Sequence, residues 1–106
     1  MATQRRYKDV NLSLEDRVDD LLSFLTIEEK VAQLYGVWVS DLINPSSRQF
    51  EQDKAQQTIP HGAAHISRVG AVSMLPPEKS AELANAIQRF LVEQTRPGIH
   101  AILHEE

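Results

Sequence analysis

Apolar positions along this chain change their spacing from one stretch to the next. After a polar start, Val18, Leu21, Leu22 and Leu25 fall at i, i+3, i+4 and i+7, the spacing of one helix face. Ser13 precedes them as an N-cap, and Glu15 and Asp16 suit the positive end of that helix. Thr26 and Glu29 then form a capping box: the hydroxyl can accept from the Glu29 amide while the carboxylate reaches back. The second helix that this box starts has Ile27, Val31 and Leu34 as its expected inner face. Tyr35 to Val39 is rich in β-formers and reads as a short strand.

From Asn44 to about His65 the pattern lapses into polar residues, many of them glutamine, with Pro60 near the end. This predicts a long irregular loop, either a functional lid or an insertion. Order returns at Val69 to Leu75, read as a strand that Gly70 weakens. Pro76-Pro77 opens a helix, since proline in the first turn gives up an amide that has no partner there. Leu83, Ala84, Ile87, Phe90 and Leu91 form its apolar stripe, and Pro97-Gly98 stops it. Ile99 to Leu103 follows as another strand. Strand, helix and strand make a βαβ unit with parallel strands. One crossover helix covers one sheet face, whereas parallel sheets are normally covered on both. The unit reads as unfinished.

In domain terms, residues 1–12 form an N-terminal arm and residues 13–106 a partial α/β domain with its irregular loop at about 44–65. The chain stops at Leu103-His104-Glu105-Glu106 directly after an apolar run, where a complete domain is expected to close with a capped or paired element. Its first nine residues carry charges but no following apolar stretch, so they are not a secretory signal. With Met1 as the start, a cytoplasmic protein is expected.

Composition narrows the choice of function. At 106 residues, 42% hydrophobic and 25% charged, the chain is an ordinary globular sequence rather than a disordered one. A formal charge of -4 argues against nucleic acid as a partner, which needs a basic surface. No stretch is apolar enough to span a membrane. Without cysteine there is no disulfide, no thiolate metal site and no cysteine nucleophile.

The best-placed chemistry is Glu105 and Glu106, at the carboxyl end of an expected parallel strand. Loops at that end of α/β sheets form ligand clefts. A carboxylate there can take two sugar hydroxyls through charge-assisted bonds. An acidic pair left in solvent after a strand is the alternative from position alone. The histidines offer a metal reading, because His61 and His65 are four apart, as are His100 and His104. On a strand, four residues at about 3.3 Å each separate such a pair by roughly 13 Å, too far to chelate one ion. No metal site is therefore expected. Tyr35 and Trp38 suit sugar stacking, though core packing is the expectation for both. Arg68 suits the anchoring of a nearby carboxylate.

Four stations also resemble a known family, in its order. They are Asp16-Arg17-Val18-Asp19-Asp20-Leu21-Leu22 with Leu25 to Leu34, then His65-Ile66-Ser67-Arg68-Val69-Gly70, then Ala84-Asn85-Ala86-Ile87-Gln88, and finally Gly98 to Glu106. Together they resemble the N-terminal domain of glycoside hydrolase family 3, which includes β-glucosidases and β-xylosidases. The resemblance covers nearly all of the chain except its first residues and the loop from Asn44 to Pro60. It departs at Pro97, where leucine is common, and at His100, where proline is common.

The resemblance implies the first part of a (β/α)₈ TIM-like barrel, two helices followed by the βαβ unit. It implies retaining hydrolysis of a β-glycoside or oligosaccharide with terminal β-D-glucosyl or β-D-xylosyl residues, and no cofactor. It gives Glu106, with Glu105 beside it, the role of binding hydroxyls of the terminal sugar. Retaining hydrolysis needs two carboxyl groups about 5–5.5 Å apart. The stations for both lie beyond residue 106, so no catalytic residue is assigned and the segment alone is expected to be inactive, its partner being the missing C-terminal part of its own chain. The rival reading is a non-enzymatic, helix-rich interaction module that presents its apolar stripes to a partner.

Overall fold

The computed structural model describes residues 5–105; residues 1–4 and Glu106 lie outside the described residues. Helix α1 (Leu14–Phe24) begins where expected, with the Ser13 hydroxyl accepting from the Asp16 amide at 3.1 Å. Helix α2 (Ile27–Ala32) carries the complete capping box. The Thr26 amide donates to Glu29 Oε1 at 2.8 Å, and the Glu29 amide to the Thr26 hydroxyl at 3.2 Å.

The faces of these helices correct the sequence reading. Ile27 is 74% exposed and Leu34 83%, and Val31, Val18 and Leu22 are also exposed. Leu25 is buried as expected, and in α2 it is Glu29 and Ala32 that turn inward. Two residues further along a helix is about 200° around it, so Glu29 and Ile27 cannot share a face. Glu29 determines the orientation. Only 3% exposed, its carboxylate accepts from Arg96 Nε at 2.9 Å and from Arg96 Nη2 at 2.7 Å. A buried carboxylate needs that pairing, and satisfying it turns the apolar stripe outward.

Of the expected arm, residues 5–12 fold back on α1 through a short 3₁₀ turn, Arg6–Lys8. Asp20 accepts from the Tyr7 amide at 2.9 Å and from Arg5 at 3.1 Å. The Tyr7 hydroxyl donates to the Pro97 carbonyl at 2.8 Å.

Three strands form one parallel sheet in the order β1 (Gly36–Trp38), β2 (His65–Ser67), β3 (Ile102–His104). The βαβ unit is present, but its first strand is His65–Ser67 rather than Val69 to Leu75. Residues Val69–Ser73 form a short helix, α4, bracketed by left-handed residues Arg68 (φ 62°) and Met74 (φ 55°). Val69 and Val72, three apart, both turn to the core, which suits a helical turn and defeats strand alternation. The last strand starts later than Ile99. Before it, the Gln88 side chain satisfies both backbone groups of Ala101, at 2.8 and 3.0 Å.

Helix α5 (Pro77–Gln94) has Pro77 in its first turn and buries Leu83, Ile87, Phe90 and Leu91, as the stripe requires. They join Leu42, Ile59 and Ile66 in one core. Val37, Ile66 and Leu103, paired across the sheet, face this core. Strand alternation puts Trp38, Ser67 and His104 on the other face. There Ile102 and Trp38 on the outer strands are exposed while Ser67 on the central strand is buried, so this side of the parallel sheet is only partly covered.

The expected loop at 44–65 is more ordered than its composition suggests. Asn44 organises a tight turn: its side-chain oxygen accepts from the amides of Ser46 and Ser47, and its amide group donates to Glu51. Ile43 and Phe50 then pair as an antiparallel bridge. Helix α3 (Gln52–Thr58) follows, and Ala55 and Ile59, four apart, pin it to the core. Among the described residues, no helix is long and apolar enough to cross a membrane.

Candidate functional site

Parallel strands present their carboxyl ends at one rim, and here the rim carries Trp38, Ser67-Arg68 and His104-Glu105. The β2 end turns sharply through left-handed Arg68 into α4, which brings the amides of Gly70 and Ala71 round to face the end of β3. The Arg68 amide donates to the His104 carbonyl at 2.7 Å. Glu105 Oε2 accepts from the Gly70 amide and Oε1 from the Ala71 amide, each at 3.0 Å. Those two bonds hold the Glu105 carboxyl below the usual carboxylate range, with the charges of Arg68 and His104 acting the same way. Glu105 is therefore an anion fixed at both oxygens. Glu106 lies outside the described residues.

The sheet pairs histidines that sequence spacing does not. His65 Nδ1 and His104 Nε2 lie 2.9 Å apart, with ring centroids at 4.9 Å. One ring donates and the other accepts. Their separation of 39 residues hides the pair in the sequence; correct registration of β2 against β3 would have revealed it. Gly36 leaves room for this arrangement, because a Cβ there would collide with both the ring and the backbone carbonyl of His65. His61 and His100 are exposed and not part of this pair. Among the described residues, no three His, Asp or Glu side chains gather as a possible metal-ligand set.

Trp38 and Tyr35 do not fill the core as expected: Trp38 is 50% exposed and Tyr35 is similarly open. The reason is the register, which places Trp38 on the partly covered sheet face, at an outer strand. The Arg68 guanidinium lies 5.2 Å from the Trp38 ring centre, a cation–π contact. Arg68 thus faces both an indole and, electrostatically, the Glu105 carboxylate. Beside the rim, an open groove of about 450 Å³ runs between β3 and the start of α5, lined by Gly70, Pro77, Ala81, Leu103 and Glu105. The His104 imidazole, a half-exposed indole and a guanidinium at this rim, beside the fixed anion, can bind a polyhydroxylated ring. Hydroxyls would meet the charges and an apolar ring face the indole.

Comparison with known proteins gives this rim a context. No family model matches the chain. The chain is 30% identical over 102 residues to a protein of Formosa agariphila named "Putative beta-xylosidase", an alignment covering 94% of this chain and 13% of that protein. It is 34% identical over 96 residues to "Probable beta-glucosidase C" of Aspergillus oryzae, covering 88% of this chain and 15% of the relative. The protein of the same name from Aspergillus flavus is 33% identical over 96 residues, with the same coverage. The chain thus spans only 13–15% of the length of these relatives. The resemblance to β-glucosidases and β-xylosidases read from the residues holds over nearly the whole chain.

Proposed function

We propose that this chain is the N-terminal part of a retaining β-glycosidase, similar to glycoside hydrolase family 3, that hydrolyses terminal β-D-glucosyl or β-D-xylosyl residues. In this reading the three-stranded sheet is the first part of a (β/α)₈ barrel, and the rim after β3 faces the sugar. Glu106 binds hydroxyls of the terminal sugar, and Glu105 stands beside it. The nucleophile and the acid/base, about 5–5.5 Å apart in a retaining enzyme, come from the remainder of the parent protein. The segment positions substrate and does not itself break the bond.

One observation carries the proposal: similarity to named β-xylosidase and β-glucosidases along 88–94% of the chain. The parallel order β1-β2-β3 supports it, as does the partly covered sheet face, since the first strands of a barrel need further elements to complete their surroundings. A non-enzymatic interaction module is favoured by a different observation, the exposure of the large apolar side chains Leu14, Ile27 and Leu34.

Aryl β-glucosides and aryl β-xylosides separate the two. The isolated chain should show no turnover, and a longer gene product containing it should cleave at least one of them. In that product Glu106→Ala should lower kcat/KM, because sugar contacts made in the ground state persist into the transition state. Turnover by residues 1–106 alone would defeat the claim that the catalytic carboxyls lie elsewhere. Unchanged kinetics in Glu106→Ala would remove that residue from the site.

A further inference from the structure

We propose that Glu105 is a positioning residue: it clamps the end of β3 to the turn after β2, and so fixes the path by which the chain leaves the sheet beside the sugar. This rests on the glycosidase reading and divides the acidic pair into one residue that holds and one that touches.

Four ties converge on two residues. The His104 carbonyl takes the Arg68 amide at 2.7 Å, and the His104 ring meets His65 at 2.9 Å. Glu105 spans the amides of Gly70 and Ala71 with one oxygen each. The segment that donates is itself immobilised, because Val69 and Ser73 at the two ends of α4 are buried. Two parallel N–H donors meeting two carboxylate oxygens define a direction as well as a distance, which a single bond does not. The Gly70 and Ala71 amides belong to the first turn of a helix, where no intrahelical carbonyl is available to them. Glu105 supplies that missing acceptor, and its charge is what makes the bonds strong. A sugar hydroxyl approaching Glu105 would meet oxygens already engaged.

The test uses the whole 106-residue chain and NMR. In a pH titration, the amide protons of Gly70 and Ala71 should move with the Glu105 side-chain carboxyl signal, sharing its midpoint. In Glu105→Gln that response should vanish, and hydrogen exchange at the two amides should quicken by at least about tenfold, as for loss of a bond to a charged acceptor. Glu105→Asp, one methylene too short to reach both amides, should not restore protection. Methyl β-D-glucopyranoside or methyl β-D-xylopyranoside should shift the Glu106 carboxyl signal and leave that of Glu105 in place. Amides that ignore the titration, or a sugar that moves the Glu105 signal first, would overturn the proposal. If neither sugar shifts any signal, the glycosidase reading loses support while the amide titration still decides the clamp.

Discussion

In the second half of α5, the side chains of Ile87 and Leu91 are buried in one apolar core with Leu42, Ile59 and Ile66. Just past the end of the same helix, Arg96 reaches out to Glu29, to the Phe24 carbonyl and over the Phe24 ring, and so fastens α1 and α2. One half of the molecule is held by apolar burial. The other is held by ion pairs and hydrogen bonds, with its apolar stripe in solvent. Burial is non-directional and resists small errors, whereas a buried carboxylate is secure only while its partner is present. The hairpin of α1 and α2 should therefore be the more conditional half.

The largest effect should come from the apolar half. Leu91→Ala should cost about 2–5 kcal/mol, seen as a lower midpoint in urea unfolding of the whole chain. A loss under about 1 kcal/mol would mean that the core relaxes around the cavity. Next is Arg96→Ala, which strands the Glu29 carboxylate. Amide exchange should rise sharply across α1 and α2 and stay slow in α5 and the sheet. An equal rise everywhere would show that the two halves open as one unit, erasing the contrast.

Acid should mimic that substitution. The bonds from Arg96 hold Glu29 below its ordinary value of 4.5, with the Thr26 amide helping. A depressed folded value means that its stabilisation is complete above pH 4.5 and is lost as pH falls through the lower folded value. Circular dichroism should show helix loss in that window, and Glu29→Gln should flatten it. Thr26→Ala, which removes half of the capping box, should cost about 1 kcal/mol in the same urea assay. Smallest of all is Leu22→Ser on the outward stripe, expected within about 0.5 kcal/mol of the parent. A larger loss would place Leu22 in a contact that its exposure denies.

What was legible in the sequence was local. Ser13, Thr26 with Glu29, and Pro77 act on amides within a turn of themselves, so their neighbours in sequence suffice to read them. The α5 stripe was legible because it packs on the core in the usual way. The phase of α2 was not, because it is set by Arg96, 67 residues away from Glu29. Helix α3 offered only Ala55 and Ile59 as apolar anchors, and its N-cap residue Glu51 makes no side-chain cap bond. Strand β2 was hidden because two of its three residues, His65 and Ser67, are polar, while the valines beyond it imitated a strand. At the rim, the position of Glu105 after a parallel strand was readable. Its two amide donors were not, since they depend on α4 being a helix.

The sheet's outer strands, β1 and β3, are each three residues long. An unpaired edge is a template for stray chains, and the gain from docking on it grows with the number of rungs offered. Edges this short offer an intruding strand little reward, so even with a partly covered face the molecule gives poor footing to the β-type self-association that leads to aggregates.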